Sequence, residues 1–278
     1  MTTEIKPLDA VFGAEVKGMD LREAPRAETR DALRRAVIDH QVICIRDQDL
    51  TPEELAAASR VFGVPKKFLL RQDRVGDAPE VSIVSNRPAG AGGKPVVQAK
   101  HWHTDDSYLA LPATLTLLHA RILPKQGGDT EFIDCYRVLT EMPQELRARI
   151  EGLRAVHKYL SRRNASWVAK RSAEEEAETP DVDHPLIRTH PQSGRQSLYI
   201  NPNRIDHILG WDEAESDILL DALYDFAFEP RFQYRHRWQA GDLVVWDNRC
   251  TMHRANADYD VSQPRVMHRV MLEGERPL

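Results

Sequence analysis

Apolar residues in this chain come in short runs broken by turn-forming residues, and the runs do not alternate with helices as a parallel sheet requires. Val42, Ile43, Cys44 and Ile45 form a compact run suited to a strand buried on both faces. Strand-like runs recur at 107–110 and 113–119, in FQYRHRW, in DLVVWDN and in RVMHRVML. HPLIRTH and SLYIN, joined by PQSGRQ, read as a hairpin with its Gly at the turn. The opening stretch IKPLDAVFGAEVKGMDL reads as strands and turns, and QGGDTEFID as a Gly-Gly turn and a short strand before a helix that closes near Gly152. Residues 27–39 place Leu33, Ala36 and Val37 at helical spacing, and 212–228 do the same with Leu219, Ala222, Leu223 and Phe226. The segment DLTPEELAAASRVFG has both helix ends marked: Thr51 as N-cap, Pro52 in the first turn, Glu54 three residues on, and Gly63 past the end. With no βαβ alternation, no GxGxxG and no internal repeat, the fold class is a β-rich α+β core flanked by helices. Doubly wound nucleotide-binding sheets, solenoids and propellers are excluded.

The 278 residues allow one large domain or two small ones, since domains run to roughly 100–200 residues. A net charge of −5, from 38 basic and 43 acidic residues, offers no basic surface for nucleic acid. No apolar run approaches the roughly 20 residues of a membrane span, and the start lacks the basic and apolar regions of a signal peptide. Cys44, Cys135 and Cys250 are far apart, odd in number and outside any CxxC pattern. That points to a reducing compartment, hence a cytoplasmic protein. Residues 86–100 read as a loop. Residues 161–183 are long, polar and charge-rich, either a solvated connection or, taken from 158 to 183, a lid over a site. The composition feature that calls for an explanation is the count of 11 histidines.

Three candidate ligands lie in HWHTDDSY. On an extended strand, residues two apart share a face, so His101, His103 and Asp105 would point one way and Trp102, Thr104 and Asp106 the other. By spacing alone, either the two histidines or a histidine and Asp105 can grip one ion. Towards the other end come DLVVWDNRC, a turn, His253, and then Arg265 and Arg269, which on a strand share a face. Two histidines and one carboxylate with open positions suit a non-haem Fe(II) site. Two guanidiniums on one wall suit a dianionic cosubstrate and an anionic substrate, because an arginine fork pairs with a carboxylate bidentately.

The blocks PLDAVFGAEVKGMDL, HQVICIRDQDLTPEEL, WHTD, QGGDT, HPLIRTHPQSGRQSLYIN and WDNRCTMHRANADY with RVMHR, in that order, resemble the TauD/TfdA family of Fe(II)- and 2-oxoglutarate-dependent dioxygenases over nearly the whole chain. The resemblance implies a double-stranded β-helix (a cupin-like jelly roll) flanked by helices and a single domain over 1–278. It also implies Fe(II) as cofactor, 2-oxoglutarate as cosubstrate and O2 as oxidant. Residue by residue, it implies His103, Asp105 and His253 as metal ligands, so that His101 drops out. Thr130 and Arg265 would hold 2-oxoglutarate, Arg269 the anionic head of the substrate, and Tyr159 and Trp246 the pocket walls. No side chain is implied as a general base. Relatives of this kind are commonly dimers or tetramers, so a homo-oligomer is expected.

The expected reaction is hydroxylation of a small anionic substrate with release of succinate and CO2. The leading candidate is an aryloxyalkanoate-type carboxylate with cleavage of its ether bond. Sulfonates, alkyl sulfates, and amino acids or other carboxylates hydroxylated without cleavage are the alternatives. A β-barrel that binds metal without catalysis is the reading of a different class. Taurine itself is disfavoured, since Leu69, Gln72 and Ala99 stand where taurine enzymes carry His, Tyr and Asn. Asp105 argues against halogenation, which usually goes with a small residue at that position.

Overall fold

Strands covered on both faces carry the architecture. In Val42–Ile45, Val42 and Cys44 join one core cluster, while Ile43 and Ile45 join another. The strand Leu243–Asp247 repeats the division, with Val244 and Trp246 on the first side and Leu243 and Val245 on the second. This is the two-residue period of a strand with apolar neighbours above and below. The two strands pair antiparallel, Val42 opposite Trp246 and Ile45 opposite Leu243.

The computed structural model describes residues 3–87, 93–164 and 168–278. These two strands lie within an eight-stranded sheet that runs, edge to edge, Glu4–Pro7, Ala14–Lys17, Val42–Ile45, Leu243–Asp247, Leu115–Ile122, Val266–Met271, Ala78–Ser85 and Arg74–Val75. A three-stranded sheet, Gln233–His236, Thr130–Asp134 and Thr251–Ala255, packs against it. Between the two, Phe132 of the smaller sheet meets Leu118, Ala120, Val244, Trp246 and Met267 of the larger. The result is a jelly roll with helices on its outer faces.

Helices Ala27–His40 and Pro52–Ser59 cover the outside of the large sheet, burying Leu33, Ala36, Val37 and Leu55 against Ile43, Leu117, Val245 and Val270. Thr51 and Glu54 form the full capping box: the Glu54 N–H donates to Thr51 Oγ1 at 3.2 Å, and the Thr51 N–H donates to Glu54 Oε2 at 2.8 Å. Helix Glu213–Ala227 covers the smaller sheet's far side through Leu219, Leu220, Leu223, Tyr224 and Ala227. The buried stripe is rolled relative to the expected one. Ala222 and Phe226 are only half-buried, since Leu220 and Tyr224 offer more apolar area than Ala222.

Three expectations change. Residues 107–110 form turns and bends, and the strand that follows is Leu115–Ile122. The single helix expected before Gly152 is two, Cys135–Glu141 and Gln144–Ile150. Pro143 forces Met142 out of the helical region to φ −64°, ψ 135°. The stretch 161–183 contains a short helix, Ala173–Ala177, capped by Ser172. His253 follows a turn at 248–250, as expected, and lies within the strand Thr251–Ala255. The expected hairpin is present as Ile187–Thr189 paired with Gln196–Leu198. Of the expected loop at 86–100, residues 88–92 lie outside the described residues, and the remainder has no helix or strand. Among the described residues no helix is long and apolar enough to cross a membrane.

The covered faces predict where stability resides. Leu33→Ala is expected to lower the unfolding free energy by about 2–5 kcal/mol, because it opens a cavity under the large sheet. Thr51→Ala should lower it by about 1 kcal/mol through loss of the cap. Urea denaturation of both variants checks the magnitudes and their order.

Candidate active site

His103 and His253 form an isolated antiparallel bridge, exchanging backbone hydrogen bonds of 3.0 and 2.8 Å. The bridge brings the two imidazoles side by side, centroids 4.1 Å apart and planes inclined by 44°. His253 is placed by its strand, opposite Phe132, with its ring against Trp246 at 4.6 Å. Beyond His103 the chain does not continue as a strand. Asp105 and Asp106 lie in a turn, Asp106 at φ +57°. The strand alternation expected of HWHTDD therefore fails, yet the turn delivers Asp105 to the same place. Its Oδ1 lies 3.8 Å from His103 Nε2, and its Oδ2 lies 3.8 Å from His253 Nε2. The ligand atoms of His103, Asp105 and His253 all lie within 4.8 Å of one another. The side chain of His101 is not among them; its carbonyl instead contacts His103 Nδ1 at 2.9 Å. Because a carbonyl only accepts, Nδ1 carries the proton and Nε2 offers its lone pair. Asp106 faces other partners, Lys66 Nζ at 2.6 Å and Tyr108 Oη at 3.1 Å.

The local electrostatics suit a cation. Burial alone would raise the Asp105 carboxyl, but His253, Arg269, His103 and the Thr116 hydroxyl together bring it to about 2. Burial, with His103 alongside, pulls His253 down to about 3, and burial lowers His103 as well. At neutral pH the three groups thus present one carboxylate and two neutral imidazoles, the protonation state that a divalent metal requires.

A second cluster, Cys44, His236 and Asp242, has similar spacing. There both imidazole nitrogens are engaged, Nδ1 with Tyr234 Oη at 2.9 Å and Nε2 with Asp242 Oδ2 at 3.0 Å. Arg46 adds an ion pair to the same carboxylate oxygen at 2.7 Å. That cluster is a closed hydrogen-bond network, whereas His103 and His253 keep Nε2 turned towards a shared centre.

Arg265 is buried just ahead of the strand Val266–Met271. Its Nε donates to Gly128 O at 2.9 Å, and its Nη2 is buried with no hydrogen-bond partner among the described residues. Gly128 has φ +74°, and a Cβ there would lie 3.3 Å from both Cδ and Nε of Arg265. The second Gly of QGGDT therefore admits the guanidinium as well as making the turn. Thr130 lies opposite Ala255, two positions along from the Phe132–His253 pair and on the same strand face. Its Oγ1 accepts from Trp238 Nε1 at 3.0 Å, so its own proton is available to an acceptor. An orphaned guanidinium nitrogen and a donating hydroxyl beside the triad fit a carboxylate-bearing cosubstrate.

Arg269 opens onto a cavity. Its Nη1 is 3.7 Å from Asp105 Oδ1, its Nε 3.4 Å from Ser82 Oγ, and its guanidinium lies 4.7 Å over the Phe68 ring. The cavity is walled by Phe68, Tyr108, Tyr159, Val168, Ala169 and Arg204, among others, and His103 and Asp105 reach into it. Tyr159 thus lies where a pocket wall was expected. Trp246 does not: it is 1% exposed and fills the space behind His253, because its Nε1 is drawn to Asn248 Oδ1 at 3.0 Å. Arg204 went unnoticed in the sequence. Its guanidinium lies 4.9 Å from both the Tyr108 and Tyr159 rings, and only the neighbouring block SLYIN signalled its position. Asn248 and Thr116, which hydrogen-bond to each other at 2.8 Å, were also missed. The Asn of WDNR, following a fully apolar run, was the available sign.

Comparison with known proteins agrees with this geometry. The model of the family described as "Taurine catabolism dioxygenase TauD, TfdA family" matches residues 4–271. The alpha-ketoglutarate-dependent 2,4-dichlorophenoxyacetate dioxygenase of Cupriavidus pinatubonensis is 34% identical over 97% of this chain and 97% of its own. The (S)-phenoxypropionate/alpha-ketoglutarate-dioxygenase of Sphingobium herbicidovorans is 33% identical over 98% of this chain and 95% of its own. Among solved structures, AAD-2 in complex with Mn(II) and N-oxalylglycine superposes with a TM-score of 0.83 at 33% identity, covering 100% of this chain and 99% of that one. The chain belongs to the TauD/TfdA family and is a 2-oxoglutarate-dependent non-haem iron dioxygenase.

Proposed function

We propose that His103, Asp105 and His253 hold Fe(II), that Thr130 and Arg265 hold 2-oxoglutarate, and that Arg269 holds the anionic head of a small substrate of the aryloxyalkanoate type. The observation that carries this reading is the placement of Arg269, 3.7 Å from Asp105 in a cavity walled by Phe68, Tyr108 and Tyr159. A guanidinium beside the triad fixes a carboxylate close to the reacting centre, and the aromatic wall suits an aryl group. Iron with 2-oxoglutarate and O2 supplies the oxidising chemistry that hydroxylates the substrate and releases succinate and CO2.

The protein's contribution is position and charge. Arg269 sets the depth of the substrate, Phe68 and the two tyrosines set its direction, and the carbon next to the carboxylate is brought to the triad. When that carbon also bears an ether oxygen, its hydroxylation gives a hemiacetal-like adduct that breaks into a phenol and an oxo acid. No side chain is needed as a general base. A sulfonate or alkyl sulfate is the second reading, since Arg269 can serve those anions too. Taurine is a poor fit because Ala99 lines the cavity with an apolar side chain. The three cysteines are buried and free, which accords with a reducing compartment, and we place the protein in the cytoplasm.

Succinate release measured across aryloxyacetates, aryloxypropionates, sulfonates and alkyl sulfates tests the substrate class. The aryloxy acids are expected to give the highest kcat/KM, and a best substrate without an anionic group would remove the role of Arg269. Arg269→Ala should raise the substrate KM roughly tenfold or more while leaving the 2-oxoglutarate KM little changed, and Arg265→Ala should do the reverse, because a charged hydrogen bond is worth about 1.5–3 kcal/mol. Asp105→Ala should abolish metal binding. Asp106→Ala, which loses only Lys66 and Tyr108 as partners, should retain it, as calorimetric titration with Mn(II) can show.

A further inference from the structure

Behind Asp105 lies a chain of three buried side chains whose hydrogen bonds can run in only one direction. Trp246 Nε1 lies 3.0 Å from Asn248 Oδ1, Asn248 Nδ2 lies 2.8 Å from Thr116 Oγ1, and Thr116 Oγ1 lies 2.7 Å from Asp105 Oδ2. All four residues are buried. An indole N–H only donates, so the Asn248 atom facing it is the oxygen, and the amide orientation follows from Trp246. The Asp105 N–H points at the same oxygen at 3.4 Å. The NH2 group of Asn248 must then donate to Thr116, which commits the threonine's single proton to Asp105. Asn248 is itself clamped, its carbonyl accepting from Thr104 Oγ1 at 2.8 Å and its N–H donating to Thr114 O at 2.9 Å.

We propose that Trp246, Asn248 and Thr116 form a one-way hydrogen-bond relay that holds the Asp105 carboxylate in its ligating orientation, with Thr116 as the positioning residue. The relay rests on the reading of His103, Asp105 and His253 as the metal site. It answers a local problem of the fold. Asp105 lies in a turn rather than on a strand, so no ladder of backbone hydrogen bonds aims its side chain, and the relay does so from the adjoining sheet strands Leu115–Ile122 and Leu243–Asp247. The same indole packs on His253, so Trp246 braces two of the three candidate ligands at once.

The test is metal affinity of the full-length apoprotein, titrated calorimetrically with Mn(II), and the visible absorption that appears when Fe(II) and 2-oxoglutarate bind together under anaerobic conditions. Thr116→Val keeps the shape of the side chain and removes its proton. It is expected to weaken Mn(II) binding about 10- to 100-fold, the usual cost of losing a partner that orients a ligand, and to shift the absorption band. Thr116→Ser restores the hydroxyl and should bind within about threefold of the original protein with an unshifted band. Mn(II) affinity unchanged in Thr116→Val would overturn the relay, as would equal weakening in Thr116→Ser. Should Thr116→Val fail to fold, Trp246→Phe decides instead: it leaves Thr116 intact and releases the Asn248 amide, and full Mn(II) affinity there would equally overturn the relay. Asp105→Ala separates the two levels. If it binds Mn(II) as well as the original chain, the metal-site reading itself fails, whereas its loss together with an unaffected Thr116→Val defeats the relay alone.

Discussion

Two backbone hydrogen bonds, His103 to His253 and back, join the parts of the site that come from opposite halves of the chain. A closely hydrogen-bonded antiparallel pair sets its two residues directly opposite each other, so the imidazoles meet, tilted, without needing a longer shared strand. Everything else at the centre is referred to that pair. The strand Thr251–Ala255 aligns Thr130 two positions from His253 through its pairing with Thr130–Asp134. The same strand presses His253 against Phe132 and Trp246, and these belong to the core that holds the two sheets together. Packing of the jelly roll and placement of the candidate ligands are thus one problem, because the back wall of the imidazole is the hydrophobic core.

Buried charge is used in two distinct ways. Arg249 is held by Asp247 at 2.6 and 2.8 Å, and Asp247 also accepts from His190 at 3.0 Å. That group is neutralised within the fold, and Arg249 and His190 together hold Asp247 below the usual carboxylate range despite its burial. Arg265 is equally buried, but among the described residues its guanidinium hydrogen-bonds only to a carbonyl, with one nitrogen left unmatched. Burying a cation without a direct ion-pair partner is costly, and burial lowers the Arg265 pKa, outweighing the opposing pull of Tyr259 and Asp129. A fold that pairs Arg249 so thoroughly and leaves Arg265 open bears a cost at one place that an incoming carboxylate removes. Their partners alone distinguish the two arginines: Arg249 is closed off within the fold, and Arg265 is open to the carboxylate we propose for it.

Much of the sandwich was legible because the strands are covered on both faces, so that VICI and LVVW announce themselves as apolar runs. Thr51, Pro52 and Glu54 marked their helix because capping chemistry is local. The misjudged pieces depend on contacts from afar. HWHTDD has the alternation of a strand but is a turn, since Thr104 and Asp105 are held by Asn248 of a distant strand end rather than by a ladder. The rolled face of Glu213–Ala227 and the depth of Trp246 were likewise decided by what lies across the interface. Spacing on an extended backbone leaves His101 and Asp105 as alternatives beside His103; the resemblance singles out His103 and Asp105, and the turn replaces the extended backbone. Arg204 has only the neighbouring SLYIN to signal it and Thr116 has no local trace, for an arginine between two tyrosines and a threonine behind a carboxylate acquire meaning only when other segments close around them.

The division of labour within the site follows from that topology. The triad, Thr130, Arg265, Arg269 and the relay behind Asp105 lie on sheet strands or on segments pinned to them, and a shift in any one would disturb core packing that tolerates little change in volume. The cavity's aromatic and small-residue walls come largely from elsewhere: Phe68 from the stretch after the second helix, Tyr159, Val168 and Ala169 from the charge-rich connection, and Arg204 from the residues preceding the strand Ile205–Ile208. Those segments are tied within and between themselves, by Tyr159 Oη donating to Ala169 O at 2.9 Å and Arg71 pairing with Glu178 at 2.8 Å. Phe68 and Ala169 share a small apolar cluster with Met271 of the large sheet, apart from the core that holds the two sheets together. A chain built this way draws its candidate ligands from the sheets and segments pinned to them, and much of its cavity wall from the connections between them, and under the proposed function those connections are where aryl and alkyl anions would be told apart.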